Sequence, residues 1–217
     1  SILFGMGLVS TIGVSITEAF ALKFSPAINY SFLIRTVILF TIVFAYLFLG
    51  EKITLKKIVL AFLLLAGAYL LTTKGQVISL SKGDIFTLTE AALIAFGNNV
   101  LGKMATNRMS TQLSAAGSFL IGVLPLATIA LISRSVHVPN SSFLILSLTL
   151  AYIVLTNLRF NAYKNASASY VTMVYSFTPV FVSFMAIPFL KETLAPIQVI
   201  GGILIVSAGI AVEKLKI

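Results

Sequence analysis

The sequence contains no cysteine, and its only histidine is His137. Without cysteine the chain can form neither a disulfide bond nor a thiolate metal site. The lone histidine lies between apolar segments and supports neither a histidine-rich metal site nor a Ser-His-Asp triad. No glycine-rich phosphate loop precedes a predicted helix. These absences predict a protein that is not an enzyme and that holds no metal or cofactor.

Charge is also scarce, since charged residues make up 10% of the 217-residue chain while hydrophobic residues make up 59%, with a mean hydropathy of +1.07. A soluble domain of this length cannot bury so much apolar surface, so the lipid bilayer is the predicted surrounding. The net charge of +9 does not indicate nucleic acid, because the Lys and Arg residues lie at the ends of apolar segments.

Long apolar runs fill most of the chain. A hydrocarbon core about 30 Å thick requires roughly 20 apolar residues per helix, and barrel strands would be about half as long with alternating polarity. The sequence therefore predicts an all-α polytopic membrane protein with eight transmembrane helices. They are expected at approximately 2–22, 27–49, 57–73, 85–104, 114–133, 143–161, 168–190 and 196–212.

The distribution of basic residues predicts the topology. Eight helices place both chain ends on one side, and nine of the fifteen Lys and Arg residues lie on that side, with Arg159 counted at a helix edge. Five lie on the opposite side, and Arg35 lies within a helix. Because cytoplasmic loops are enriched in Lys and Arg, we expect a multi-pass protein of the cell (inner) membrane with both termini cytoplasmic.

The segment Pro26 to Thr73 occurs a second time further along the chain, in a register that aligns Glu51 with Glu192. The second copy has five predicted helices, and its last three match the first three of the chain. An odd number of helices per copy reverses the orientation of the second copy, which gives an inverted repeat. The expected division is the last three helices of the first repeat at 1–74, a linker at 75–82 and a complete second repeat at 83–217.

The motifs around this repeat resemble the EamA-type members of the drug/metabolite transporter superfamily. The supporting stretches are Phe48-Leu49-Gly50-Glu51, Phe189-Leu190-Lys191-Glu192, Phe20 to Ser25, Gly83-Asp84 and Thr178-Pro179-Val180-Phe181. The resemblance implies ten helices in two inverted five-helix repeats, a central cavity and transport of small metabolites. The chain starts at Ser1 inside an apolar segment, without a signal peptide, so we expect it to be a trimmed piece that lacks the first two helices of that fold.

Three ionisable residues lie inside predicted helices, where a charge costs several kcal/mol unless it is paired or hydrated. Counting 1.5 Å per residue places Glu18, Arg35 and Glu90 about 8–12 Å from the outer ends of their helices. One interpretation is an outer site or gate that binds a cationic or zwitterionic substrate or a proton. The alternative is structural: Glu18 and Arg35 form a fixed ion pair, and Glu90 lies near the water interface.

Two polar stripes occur at matching positions of the repeats. The positions Thr11, Ser15 and Glu18 share one helical face, and the register of the repeat maps them onto a second polar face. Matched stripes are typical of a shared aqueous cavity, although hydroxyl groups also bond to carbonyls of their own helix. Because the repeats are inverted, Glu18 is expected toward the outside and Arg159 toward the inside, without pairing. The second stripe consists of Tyr152, Thr156 and Arg159.

Further polar residues lie on the equivalent helices. Tyr175 and Ser176 are candidate substrate contacts, whereas Tyr30 and Tyr170 could equally be interfacial aromatic residues. Asn99 lies deep enough in its segment to need partners, either a substrate or a neighbouring helix. Small residues around Gly67 and at Gly201-Gly202 indicate close helix packing.

The resulting hypothesis is a secondary active transporter, an exporter or exchanger, that moves small metabolites by alternating access. Amino acids and other cationic or zwitterionic solutes fit the negative balance of Glu18, Arg35 and Glu90. The predicted partners are a small-molecule substrate and the lipid bilayer, and no binding of nucleic acid is expected. The sequence is also compatible with a homodimer. The alternatives are a non-transporting membrane assembly or receptor subunit, and a membrane enzyme acting on a lipid headgroup, which the absence of an interfacial carboxylate or histidine cluster disfavours.

Overall fold

The computed structural model describes residues 2–132, 141–190 and 193–215. Every regular element in these ranges is helical, and eight helices are long and apolar enough to cross a membrane, as predicted. We number them α1 to α8. Their bounds are Ile2–Phe24 (α1), Ala27–Leu49 (α2), Leu55–Thr73 (α3), Asp84–Thr106 (α4), Thr111–Ile132 (α5), Ser142–Asn165 (α6), Ala168–Tyr175 with Thr178–Leu190 (α7) and Pro196–Leu215 (α8).

The helix ends follow local sequence signals. Gly50 adopts a left-handed conformation (φ 69°) and ends α2, which a residue with a side chain rarely does. The hydroxyl of Thr54 accepts a hydrogen bond from the backbone of Lys57 at the start of α3, and Ser167 caps α7 through the backbone of Tyr170 in the same way. Lys191, Glu192 and His137 lie outside the described residues.

Within the described ranges, α1 and α4 contain π-helical segments, at Gly7–Gly13 and Ile94–Leu101. These segments cross at close range, because a Cβ atom added to Gly97 would lie 2.6 Å from Ser10 Oγ. π-Helical turns are rare and are frequent at functional sites. The periodicity of the sequence did not indicate them.

The equivalent helices α2 and α7 are both interrupted. In α2 the interruption is a 3-10 turn at Ile34–Thr36, and in α7 it is a turn at Ser176 and Phe177. Pro179 explains the wider break in α7, because it has no N–H to donate to the carbonyl of Tyr175. The Thr178 hydroxyl donates to that carbonyl instead, at 2.6 Å.

Helix bounds in the two halves coincide in the register of the sequence repeat. Ala27 and Ala168 begin α2 and α7, Leu49 and Leu190 end them, and Leu55 and Pro196 begin α3 and α8. The interruption of α2 falls at the same place as that of α7. The division of the chain at 75–82 stays a prediction, but the repeated pattern of helices agrees with the repeat read from the sequence.

The equivalent helices α3 and α8 pack against each other in antiparallel orientation. Gln198, near the start of α8, donates a hydrogen bond to the carbonyl of Leu71 near the end of α3, at 2.9 Å. Further along, a Cβ atom on Gly201 would lie 2.6 Å from the carbonyl oxygen of Gly67, so the two backbones meet directly. The predicted close packing holds for Gly67 and Gly201 but not for Gly202, which has no atom within 4 Å of such a Cβ.

The helices form two packing clusters with polar space between them. The larger cluster joins α2, α3, α7 and α8 and includes Ile38, Leu64, Met173 and Ile205. The smaller cluster joins α1, α4, α5 and α6 through Met6, Ala105, Ala115 and Phe160. Large apolar side chains elsewhere, such as those of Leu124 and Phe184, point outward, as expected for surfaces in contact with lipid.

One end of the bundle is fixed by Asp84 at the start of α4. Its carboxylate accepts hydrogen bonds from Ser25 Oγ (2.6 Å), from Asn29 Nδ2 (2.9 Å) and from the backbone and hydroxyl of Ser81 (2.8 Å each). A Cβ atom on Gly83 would lie 2.1 Å from the backbone nitrogen of Ser25. The Gly83-Asp84 pair therefore joins the second half of the chain to the α1–α2 connection.

The opposite end is fixed by Glu51. Its carboxylate accepts hydrogen bonds from the backbone N–H groups of Ala168 (2.6 Å) and Ser169 (3.3 Å) at the start of α7, and Lys57 lies 3.5 Å away. Lys103 Nζ donates to the carbonyl of Tyr163 near the end of α6. Glu51 therefore caps the start of α7 and joins it to the connection between α2 and α3.

Candidate functional site

A polar cavity of about 280 Å³ lies between α1, α4, α5 and α6, and we call it the stripe cavity. Thr11, Ser15 and Glu18 line it from α1, and Tyr152, Thr156 and Arg159 line it from α6. The two polar stripes thus face a common space. The remaining lining residues are Ser10, Val14, Asn98, Ala115, Ser118, Phe119 and Phe160.

The π-helical segments shape this cavity. Ser10 and Thr11 belong to the segment in α1, and Asn98 belongs to the segment in α4. The Ser10 hydroxyl is buried and has no hydrogen-bond partner within the described part of the chain. A wider helical turn displaces side chains from the regular 3.6-residue face, so these segments place extra polar groups at the cavity.

Glu18 and Arg159 line the same cavity but do not pair. In the ranges that the structure describes, the side-chain ion pair within 4 Å is Lys57 with Glu51. Glu18 is exposed, and Arg159 Nε is buried without a hydrogen-bond partner among the described atoms, although the guanidinium lies over the Phe160 ring. Arg159 also lies within α6, six residues before its end at Asn165, and not at a helix edge as the topology count assumed.

A second, smaller cavity of about 130 Å³ adjoins Arg159, and we call it the arginine cavity. Arg35 from the interruption of α2 and Tyr175 and Ser176 from the interruption of α7 line it together with Arg159. Like Arg159 Nε, Arg35 Nε is buried and unpaired within the described residues. Two arginines and two interrupted helices therefore meet at one small space.

Asn99 also borders the arginine cavity, but protein partners occupy its side chain. Its Nδ2 donates to Thr41 Oγ1 (2.8 Å) and Thr172 Oγ1 (3.1 Å), and its Oδ1 accepts from the Tyr163 hydroxyl (2.5 Å). These bonds connect α4 with α2, α7 and α6. Of the two alternatives for Asn99, its contacts favour the contact between helices.

Glu90 lies outside both cavities. It is 2% exposed, its Oε1 accepts a hydrogen bond from the Tyr30 hydroxyl at 3.1 Å, and its Oε2 has no partner among the described residues. Tyr30 is therefore a contact of a buried carboxyl group and not simply an interfacial aromatic residue. Tyr170, on the equivalent helix α7, donates to Glu213.

Glu18 and Arg35 do not form the fixed ion pair that the sequence left open. Instead, Tyr30 lies within electrostatic range of Glu18, Glu90 and Arg35. The structure thus places the three membrane-embedded charges around one tyrosine. In the described parts of the chain, His, Asp and Glu side chains form no group of three or more that could hold a metal ion.

Ten of the eleven residues that the sequence predicted as site residues line the stripe cavity, the arginine cavity or both. Glu90 lines neither. Sequence reasoning missed Tyr163, Thr172, Ser10 and Ser118 as lining residues. Tyr163 and Thr172 are uncharged and lie in segments that mix polar and apolar residues, so the sequence does not mark them. Their positions at the cavity follow only from the packing of α6 and α7 against α4.

The sequence matches the EamA-like transporter family over residues 1–73 and 81–212, and the chain belongs to this family. One solved structure, described only as "Crystal structure of protein", is similar with a TM-score of 0.72 and 16% sequence identity, covering 99% of this chain and 89% of that one. At that identity the likeness shows the fold alone. No curated protein matches the sequence.

Family and fold together define a multi-pass membrane transporter of the drug/metabolite superfamily. The family is one of transporters and not a class of enzymes.

Proposed function

We propose that this protein is a secondary active transporter, an exporter or exchanger, that moves small zwitterionic solutes such as amino acids across the cell membrane by alternating access. Both termini face the cytoplasm in this proposal. The observation that carries it is the pair Arg35 and Arg159, which come from the two halves of the chain and line one cavity with unpaired Nε atoms.

Both arginines are partly buried, and each has a buried Nε without a hydrogen-bond partner among the described residues, which favours an anionic ligand group. A guanidinium binds a carboxylate through two parallel hydrogen bonds, and leaving its donors unpaired away from water costs free energy. No carboxylate lies within 4 Å of either arginine in the described part of the protein. A solute carboxylate in the arginine cavity would supply the missing acceptor.

Glu18 supports the zwitterionic part of the proposal. It is exposed at the stripe cavity, which shares Arg159 with the arginine cavity. An amino group on the same solute would face Glu18 while its carboxylate faces the arginines. Volumes of about 130 and 280 Å³ fit a small solute, since drug-sized pockets span about 300–1,000 Å³.

The interrupted helices support alternating access. Helices with a break near mid-membrane, one in each inverted half, form the binding site in many transporters, and the halves rock around it. Here the breaks of α2 and α7 both border the arginine cavity, and α3 and α8 are antiparallel.

Ligand-induced stabilisation tests the binding step. An amino acid, its decarboxylated amine and its N-acetyl derivative are compared at equal concentration by thermal unfolding of the purified protein. Because a ligand that binds only the folded state raises Tm, the intact amino acid should raise the Tm of the protein, and the two derivatives should not.

The matched variants are Arg159→Ala and Arg108→Ala, the latter at an exposed loop position. The Tm increase should disappear in Arg159→Ala and persist in Arg108→Ala. An equal response to the amine alone, or an unchanged response of Arg159→Ala, would rule out the zwitterion site.

A further inference from the structure

Glu90 has the features of a proton-binding group. Its side chain is 2% exposed, and one carboxyl oxygen has no hydrogen-bond donor within the described residues. Holding such a group as an anion within the membrane costs several kcal/mol. The neutral acid avoids most of this cost while its other oxygen keeps the bond from Tyr30.

The neighbours of Glu90 come from α1 and α2, the helices packed around the first part of α4. Glu18 is the titratable group facing it from α1. From α2 the facing group is Tyr30, with the Arg35 guanidinium beyond it. A second carboxyl group therefore lies nearby, and the side chain that donates to Glu90 is a neutral hydroxyl.

The position of Tyr30 links this buried group to the solute site. Tyr30 lies in the first segment of α2, before the interruption at Ile34–Thr36 that carries Arg35 into the arginine cavity. Glu90 is therefore bonded to the short helical segment that precedes Arg35. Glu18, exposed at the stripe cavity, faces the space from which a proton can arrive or leave.

We propose that Glu90 and Tyr30 form a proton-binding site, separate from the solute cavity, that couples solute movement to the transmembrane proton gradient. The coupling rests on the transport function proposed above. While Glu90 is shielded from water, its carboxyl group is a neutral acid. When the cavity admits water, the O–H bond of Glu90 breaks, the proton passes to water at the Glu18 side, and the carboxylate keeps the electron pair.

Infrared difference spectroscopy tests the proton site without any solute. The protein is titrated from acid to alkaline pH, and the C=O band of protonated carboxyl groups is recorded. A band from a buried acid should persist at neutral pH in the unmodified protein and in Glu213→Gln, at an exposed α8 position, and disappear in Glu90→Gln. An unchanged band in Glu90→Gln would overturn the proton site.

Transport in proteoliposomes tests the coupling. Glu90→Gln, which mimics the neutral acid, should still exchange labelled solute across the membrane but lose accumulation driven by a pH gradient. Retained gradient-driven accumulation would overturn the coupling.

Tyr30→Phe is the second variant, because it keeps the ring and removes only the bond to Glu90. It should shift the pH at which the infrared band disappears, and an unchanged titration would contradict the role of Tyr30. If the unmodified protein exchanges no solute, the transport function fails, while the infrared titration still decides whether Glu90 binds a proton.

Discussion

Arg35 and Ser176 occupy the same position in the two halves of the chain and line the same cavity. Each lies at the interruption of its helix, and each half thus contributes a matching break to one small space. The residues at these breaks differ, with a cation in one half and a hydroxyl in the other. The two halves therefore share an architecture while presenting different chemistry to a bound solute.

Close contact between α3 and α8 gives the sharpest stability prediction. Gly201→Ala should lower the free energy of unfolding by about 1–3 kcal/mol, because the new methyl group would overlap the backbone of Gly67 and force the helices apart. Gly202→Ala is the matched control one residue away, with open space at its Cβ position. Denaturant titration in detergent compares them, and equal stability of the two variants would contradict the antiparallel contact.

Glu51 should stabilise the protein mainly as the cap of α7. Glu51→Ala removes the acceptor for two backbone N–H groups at the helix start, so we expect a loss of about 1–2 kcal/mol in unfolding free energy. Lys57→Ala leaves both backbone hydrogen bonds to Glu51 in place and should cost less than Glu51→Ala. Lys56→Ala, at an exposed position, is the control. A larger loss of unfolding free energy in Lys57→Ala than in Glu51→Ala would contradict the capping role of Glu51.

Asn99 should hold four helices together. Asn99→Ala leaves the Tyr163 hydroxyl without its acceptor and should cost about 1–3 kcal/mol of unfolding free energy. Asn157→Ala is the matched control, since Asn157 Nδ2 bonds only to a carbonyl of its own helix.

A double-mutant cycle separates the bond to Thr172 from the rest of this network. The coupling energy between Asn99→Ala and Thr172→Val should reach about 0.5–1 kcal/mol. Strict additivity of the two substitutions would contradict the hydrogen bond between their side chains.

The fold was largely predictable from the sequence because lipid imposes a simple rule. About 20 apolar residues form each spanning helix, and the eight predicted segments correspond to α1–α8. The internal repeat predicted that the helices of the first copy would recur with the same bounds in the second. The end of α6 was predicted too short, since Lys164 continues the helix after the hydropathy falls.

The candidate site was predictable only in part. A charged residue inside a membrane-spanning segment is a candidate site residue whatever its partners are, and this rule identified Glu18, Arg35 and Glu90. Their partners depend on how helices pack, and the contact of Glu90 with Tyr30 joins residues 60 positions apart. No periodic signal in the sequence marks the π-helical segments. Arg159 was assigned to a helix edge because the apolar run ends before it, although the helix continues to Asn165.

Solute counterflow in proteoliposomes tests the central claim most directly. Vesicles loaded with an unlabelled amino acid should accumulate the labelled form transiently when they contain the unmodified protein or Arg108→Ala. The same vesicles should show none with Arg35→Ala or Arg159→Ala, although both variants should remain folded by size-exclusion chromatography. Undiminished counterflow in folded Arg35→Ala and Arg159→Ala would contradict a transport site built on the two arginines.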